Sequence, residues 1–235
     1  MDIYYYDISM LCGTEQEQEA AERLQRAGWE ERLRAASRFR MEADRKRCLC
    51  AGLALLDALE EGNILPSAIK KTAEGKPFLE KNPEFHFNLS HSGNFAVCAV
   101  SGREVGIDIQ EIQNPQEALL KRCCTEQERK RIRESSFPPA AFTVIWAWKE
   151  AFMKMTGQGL SIPPEKIEVF LPPEAESGIS GGSAGSGNLF GKLSLRKSSV
   201  ELRFGPMLLY EGGLGGMPVC VCQSLEDVSH FCYTC

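Results

Sequence analysis

Two short stretches of this sequence hold side chains whose types and spacing could do chemistry together. In "GIDIQEI" (residues 106–112), Asp108 and Gln110 are two apart, so on a strand they share one face while Ile107 and Ile109 turn to the core. In "WAWKEAFMKMTGQGL" (residues 146–160), Trp146, Glu150 and Lys154 recur every fourth residue and share one face of a helix, with Lys149 on a neighbouring face. Asp108, Gln110 and Glu150 offer only oxygen donors, a set that suits a hard cation such as Mg²⁺ rather than zinc or copper. Mg²⁺ keeps several waters and completes its shell with phosphate oxygens. A third stretch, "FNLSHSG" (residues 87–93), sets Ser90 and His91 beside a glycine. With Lys76 in "GKP" and the basic segment around Arg47, these could hold further phosphate groups, while Lys154 neutralises charge on a group being displaced. Such a set fits phosphoryl transfer, where catalysis is mostly positioning and electrostatic stabilisation.

Each stretch also has an ordinary reading. "FNLSHSG" is a plausible turn between strands, and "GIDIQEI" a half-buried strand with its polar residues outward. Glu150 and Lys154 are a helix-surface pair worth about 0.2–0.5 kcal/mol. What these readings leave unexplained is the density of function-capable groups on a helix otherwise apolar enough to be buried.

The elements that must position these residues follow from pattern. "MDIYYYDI" is rich in aromatic and β-branched residues and opens the chain as a strand. From Glu15 to about Leu59 the pattern is helical, its last part "CLCAGLALLDALEEG" stopping at Gly62. "GKPFLEKNPEF" is punctuated by Pro77 and Pro83 and is expected to be a turn and an exposed connection. A hairpin follows, "FHFNLSHS" in and "NFAVCAVS" out, and then the strand "EVGIDIQEI". In the second half "EQERKRIRE" and "AAFTVIWAWKEAFMKMTGQG" are expected helices, the latter ending at Gly157 or Gly159. "KIEVFLP", "LSLRK", "SVELRF" and "PVCVCQS" are expected short strands. The Gly/Ser-rich residues 176–188 read as a surface loop. Both halves thus offer helices followed by strands, with no strong internal sequence repeat. The expected division is residues 1–104 and 105–235.

Composition limits the function classes. The 235 residues are 43% hydrophobic and 25% charged, enough for a substantial core, and the net charge of −5 argues against nucleic-acid binding. Residues 23–47 are the exception, with nine basic against four acidic side chains. They suit a phosphate-bearing ligand or an acidic partner, and equally the solvated face of a helix. The ten cysteines read as small buried hydrophobes, and Cys232 and Cys235 lack the second pair a zinc site needs. No apolar run approaches the ~20 residues of a membrane span, and the N-terminus has no signal-peptide pattern, so a cytoplasmic protein without membrane contact is expected.

"GKPFL", "FHFNLSHSGNFAVCAVS", "GIDIQEI" and "WAWKEAFMKMTGQGLS", in this order and spacing, resemble the Sfp-type 4′-phosphopantetheinyl transferases, as does "RFRMEADRKRCLCAG" before them. The resemblance covers roughly residues 1 to 225. It implies an α+β fold of two pseudo-symmetric halves in one chain, with the active site in the cleft between them. It further implies Mg²⁺-dependent transfer of phosphopantetheine from coenzyme A to a serine of an acyl or peptidyl carrier protein, releasing adenosine 3′,5′-bisphosphate. By the same resemblance, Asp108 and Glu150 hold Mg²⁺ and the coenzyme A pyrophosphate. Glu150 is the base for the carrier serine and Lys154 stabilises charge at the phosphate. Lys76, Ser90 and His91 hold coenzyme A, His91 near its 3′-phosphate and Arg47 beside it. Two matching halves in one chain lead to the expectation of a monomer.

Two positions depart from the family pattern. Many members have a carboxylate where this chain has Gln110, which still offers a carbonyl oxygen but no charge. Others have a hydroxyl residue near the position of Cys48, which puts any contact there in doubt. Two alternatives to the transferase stay open at this point. One is a related phosphohydrolase that uses the same carboxylates on water; the other is an inactive relative that binds coenzyme A or a carrier domain.

Overall fold

The computed structural model describes residues 1–11, 13–66, 69–170, 190–197, 201–202 and 207–225. Strand β1 (Asp2–Asp7) leads into helices α1 (Thr14–Arg26), α2 (Glu30–Ser37) and α3 (Glu42–Glu61), then a small hairpin, β2 (Ile69–Lys71) and β3 (Pro77–Leu79), and a longer one, β4 (His86–Ser92) and β5 (Phe95–Ser101). Strand β6 (Val105–Ile109) opens a second series, with α4 (Glu117–Cys123), α5 (Glu126–Glu134) and α6 (Pro138–Thr156). Short strands β7 (Val169–Phe170), β8 (Phe190–Lys192), β9 (Arg196–Lys197) and β10 (Glu201–Leu202) precede the hairpin β11 (Met207–Leu214) and β12 (Met217–Ser224). Among the described residues, the "KIEVFLP", "LSLRK" and "SVELRF" expectations correspond to the two-residue strands β7, β9 and β10. The loop at residues 176–188 and Cys232/Cys235 lie outside the described residues.

The chain divides into two compact α+β units, Met1–Gly102 with Ala184–Ser194, and Arg103–Ser183 with Leu195–Cys235. Strand β8, from beyond the 104/105 division, adds to the first sheet by pairing with β1. The two units share one connectivity. In the first, β1 is followed by three helices and a hairpin whose second strand, β5, lies antiparallel between β1 and β4. In the second, β6 is followed by three helices and a hairpin whose second strand, β12, lies antiparallel between β6 and β11. The repeat is therefore one of topology, which explains why identical residues do not betray it.

In the first unit Tyr4 and Tyr6 of β1 pack in the core with α3, whose residues Leu49, Leu53 and Leu56 are buried. Their hydroxyls stay satisfied, as buried polar groups must: Tyr6 donates to Asp57 at 2.5 Å and Tyr4 to Glu61 at 3.1 Å. Arg23 reaches Asp57 from α1 at 2.8 Å. The expected helical run from Glu15 to Leu59 is three helices rather than one. The first stops at Gly28, whose φ of +75° is open to glycine but strained for other residues. There the Trp29 N–H closes back on the Leu24 carbonyl. The expected connection after Gly75 likewise contains a strand, β3, paired with β2.

In the second unit α6 is nearly all core. Phe142, Trp148 and Phe152 are buried to within 2%, each contributing about 1.5–3 kcal/mol by leaving water. The helix starts on Pro138, whose missing N–H costs nothing there, and ends on Gly157 in the left-handed region. Seven cysteines among the described residues are buried free thiols, as their apolar surroundings lead one to expect. Burial pushes the Cys50 and Cys124 thiols up to about 12, far from the reactive thiolate. No described helix is long and apolar enough to cross a membrane.

Candidate active site

Strand β6 lies against α6 with no side chain between them at one point. A Cβ on Gly106 would come within 2.0 Å of the Ala151 carbonyl oxygen and 2.3 Å of the Met155 nitrogen. Only glycine permits that approach, and it carries Asp108, two residues on and on the same face, to the helix. The expected outward face of the strand is thus corrected. Every residue of β6 is buried, and Gly106 and Asp108 form the face covered by α6. Ile107 and Ile109 are buried on the opposite face, each with no exposed surface, and belong to neither of the two main core clusters.

On α6, from Ala140 to Met155, Trp146, Glu150 and Lys154 are the only residues not fully buried. The shared face read from their spacing is the one stripe of this helix open to ligands. Lys154 donates to Asp108 Oδ1 at 2.6 Å, with Asp108 only 4% exposed in its side chain. A shallow pocket of about 170 Å³ runs past Glu150 and Lys154 to Met153, Gly157, Gly159 and the exposed Leu160. Burial raises the Glu150 carboxyl above its ordinary range, the Lys154 charge opposes this, and the Asp108 charge adds to it. A carboxyl raised mainly by burial, within electrostatic reach of a second carboxylate, makes a site poised for a cation or a proton. Among the described residues no three His, Cys, Asp or Glu side chains converge into a metal cage. A pair of carboxylates instead matches a hard cation that fills its shell with water and ligand oxygens.

The raised carboxyl has a consequence for stability. The folded state holds this proton more tightly than the unfolded chain, so Glu150 lowers stability as pH rises above the ordinary value of 4.5. In the absence of metal, Glu150→Gln is expected to melt at higher temperature than the parent at neutral pH. The difference should shrink to nothing on acidification, when both side chains are uncharged. Equal melting points at neutral pH would show that the carboxylate is not strained by burial.

In the first unit Ser90 and His91 stand near the end of β4 on opposite faces, Ser90 buried and His91 exposed. They can share one ligand only around the strand end. Arg47 ties α3 to the adjoining turn, donating to the Gly93 carbonyl at 2.6 Å and to Asp44 at 2.5 Å. Lys76 lies in the turn just before β3, where its N–H meets the Thr72 hydroxyl. A pocket of about 280 Å³ opens among Trp29, Arg32, Arg34, Lys71, Pro77, Phe87 and Leu89. Trp29 and Arg32 carried no signal in the sequence beyond membership of the basic segment 23–47, and Lys71 carried none. Several of that segment's other cations are taken up by acidic neighbours, Arg45 by Glu17 and Lys46 by Glu42.

Two family models match the chain, one for the 4′-phosphopantetheinyl transferase N-terminal region over residues 14–103, the other for the 4′-phosphopantetheinyl transferase superfamily over residues 104–196. A 4′-phosphopantetheinyl transferase of Bacillus subtilis is 30% identical over 76% of this chain and 80% of its own length. The chain belongs to the 4′-phosphopantetheinyl transferase family. The transferase psf-1 of Bacillus pumilus is 37% identical over 56% of this chain and 58% of its own length. A human relative, L-aminoadipate-semialdehyde dehydrogenase-phosphopantetheinyl transferase, is 34% identical over 45% of this chain and 39% of its own length. In this phosphopantetheinyl transferase chain the second unit holds Asp108, Gln110, Glu150 and Lys154, and the first holds Arg47, Lys76, Ser90 and His91. Asp108 and Lys154 are in direct contact, and Glu150 lies within electrostatic reach of both. Gln110 follows the last residue of β6, its N–H directed to the Pro218 carbonyl.

Proposed function

We propose that this chain transfers the 4′-phosphopantetheine group of coenzyme A to a serine hydroxyl of an acyl or peptidyl carrier protein, releasing adenosine 3′,5′-bisphosphate. The observation that carries the reading is the convergence of Asp108, Glu150 and Lys154 where β6 meets α6. The serine oxygen attacks the phosphorus bearing pantetheine, and the bond to the adenosine-side phosphate breaks. Glu150, directly or through one water, takes the serine proton; its raised carboxyl makes it a better proton acceptor than an ordinary surface glutamate. Lys154 stabilises the charge that develops on the phosphates, held by Asp108 at the edge of the site. Asp108 and Glu150, with the Gln110 carbonyl, would hold Mg²⁺. Held there, it would supply positive charge against the pyrophosphate.

The pocket of the first unit supports the same reading for the nucleotide end. Arg32, Arg34 and Lys71 line it and offer cations for phosphate, above a floor closed by the buried Trp29 and Phe87. Lys76, Ser90 and His91 are the further candidates for coenzyme A contact, and Arg47 orders the turn beside them.

Because Gln110 adds no charge, the protein brings two carboxylates to the metal rather than three. Gln110→Glu is expected to lower the Mg²⁺ concentration needed for half-maximal rate. An unchanged requirement would exclude Gln110 as a ligand. The reading itself is tested by the intact mass of an apo carrier protein after incubation with coenzyme A, Mg²⁺ and this chain. Gain of one phosphopantetheine group, abolished by EDTA, is expected. Release of free phosphopantetheine without carrier would favour a hydrolase, and coenzyme A binding without turnover an inactive binder.

A further inference from the structure

The chemistry above makes no use of the most deeply buried charge on α6. Lys149 has no exposed surface, and its ammonium donates three hydrogen bonds, to Glu128 Oε2 at 2.6 Å, the Cys123 carbonyl at 2.7 Å and the Pro164 carbonyl at 2.9 Å. Glu128, 2% exposed, is just as fully engaged. Its Oε2 also accepts the Thr125 N–H at 2.7 Å, closing a capping box on α5, and its Oε1 accepts the Val169 N–H at 2.9 Å. The end of α4, the first turn of α5 and the turn at Pro164–Lys166 meet at Lys149 of α6, and strand β7 joins them through Glu128.

We infer that Lys149 is a positioning residue, which sets the rotation and axial position of α6 and thereby holds Glu150 and Lys154 against Asp108. An apolar residue in its place would stabilise the core about as well, since a buried ion pair gains little net energy over packed hydrophobes. It would not fix the helix as closely, because an apolar contact tolerates a small slide or turn. A three-donor ammonium does not. Any shift leaves buried carbonyls or the carboxylate unpaired. On the sheet side, the close approach at Gly106 sets how near α6 lies but leaves it free to slide. Glu150 is the next residue after Lys149, turned by about 100° around the helix, so a rotation at one is felt directly at the other. The inference rests on the reading of Asp108, Glu150 and Lys154 as the reacting groups.

The test replaces both charges, Lys149→Met with Glu128→Gln, so that neither is stranded in the core. Thermal unfolding establishes that the variant folds, its crystal structure reports the Lys154–Asp108 contact, and transfer kinetics report kcat and KM for the carrier protein. The contact, 2.6 Å in the parent, is expected to open beyond hydrogen-bond range. The kcat is expected to fall about 10- to 100-fold, the usual effect of removing a support behind a functional side chain, with KM for the carrier unchanged. A folded variant that keeps the contact and the kcat overturns the inference, whatever its melting temperature. Should the double variant not fold, Lys149→Gln alone, which keeps a donor toward Glu128 but cannot reach all three acceptors, is judged by the same contact and the same kcat. The contact decides the matter even if the parent shows no transfer, which would instead remove the proposed function.

Discussion

Gly106→Ala is expected to cost the second unit at least about 3 kcal/mol, the upper end of ordinary overpacking, and to lower the melting temperature of a chain this size by roughly 6–12 °C. The added methyl would meet the backbone of α6 at two points, the Ala151 carbonyl at 2.0 Å and the Met155 nitrogen at 2.3 Å. No rotamer change relieves such an overlap, so α6 must move away from β6. That movement separates Lys154 from Asp108, so transfer should be lost even in the fraction that stays folded. Gly102→Ala is the control, because nothing lies within 4 Å of its Cβ, and a change within about 0.5 kcal/mol is expected there. Denaturant unfolding of the two variants side by side checks the comparison. Equal stability would mean that the strand and helix are not in contact at Gly106.

Glu150→Ala is expected to lower the single-turnover rate of carrier modification about 10²- to 10⁴-fold, the range for removing a general base. The loss should come without loss of fold, since burial makes the Glu150 charge a burden on the apo protein rather than a support. Asp108 and Lys154 are less clean targets. Removing Lys154 leaves the Asp108 carboxylate, 4% exposed, without its ammonium, a change that costs about 3–5 kcal/mol in buried pairs and confounds chemistry with stability. Intact-mass time courses with saturating coenzyme A measure the Glu150 effect. A rate within tenfold of the parent would remove Glu150 from the proton transfer.

Local pattern determined much of this protein. The four-residue recurrence of Trp146, Glu150 and Lys154 placed them on one stripe because a helix has only one such face, and Gly157 ended that helix because it alone reaches the left-handed region cheaply. The hairpin at 86–101 and the burial of the described cysteines followed from apolar alternation and apolar neighbours. Ser90 and His91, grouped in the sequence as neighbours in one polar stretch, are instead turned to opposite faces by their place in β4.

Tertiary structure decided the rest, because the deciding contacts join residues far apart in the chain. Lys154 is spaced to pair with Glu150, yet its hydrogen-bonded partner is Asp108, 46 residues away. Asp108 looked like the outward residue of a half-buried strand. It faces the helix instead, because Gly106 lets α6 cover that side. Nothing in the sequence pairs Lys149 with Glu128, and only the packing of α4, α5 and β7 around α6 makes them a buried hub. Spacing along a helix or strand settles which residues share a face. Which face is covered, and by what, depends on contacts that no local period encodes.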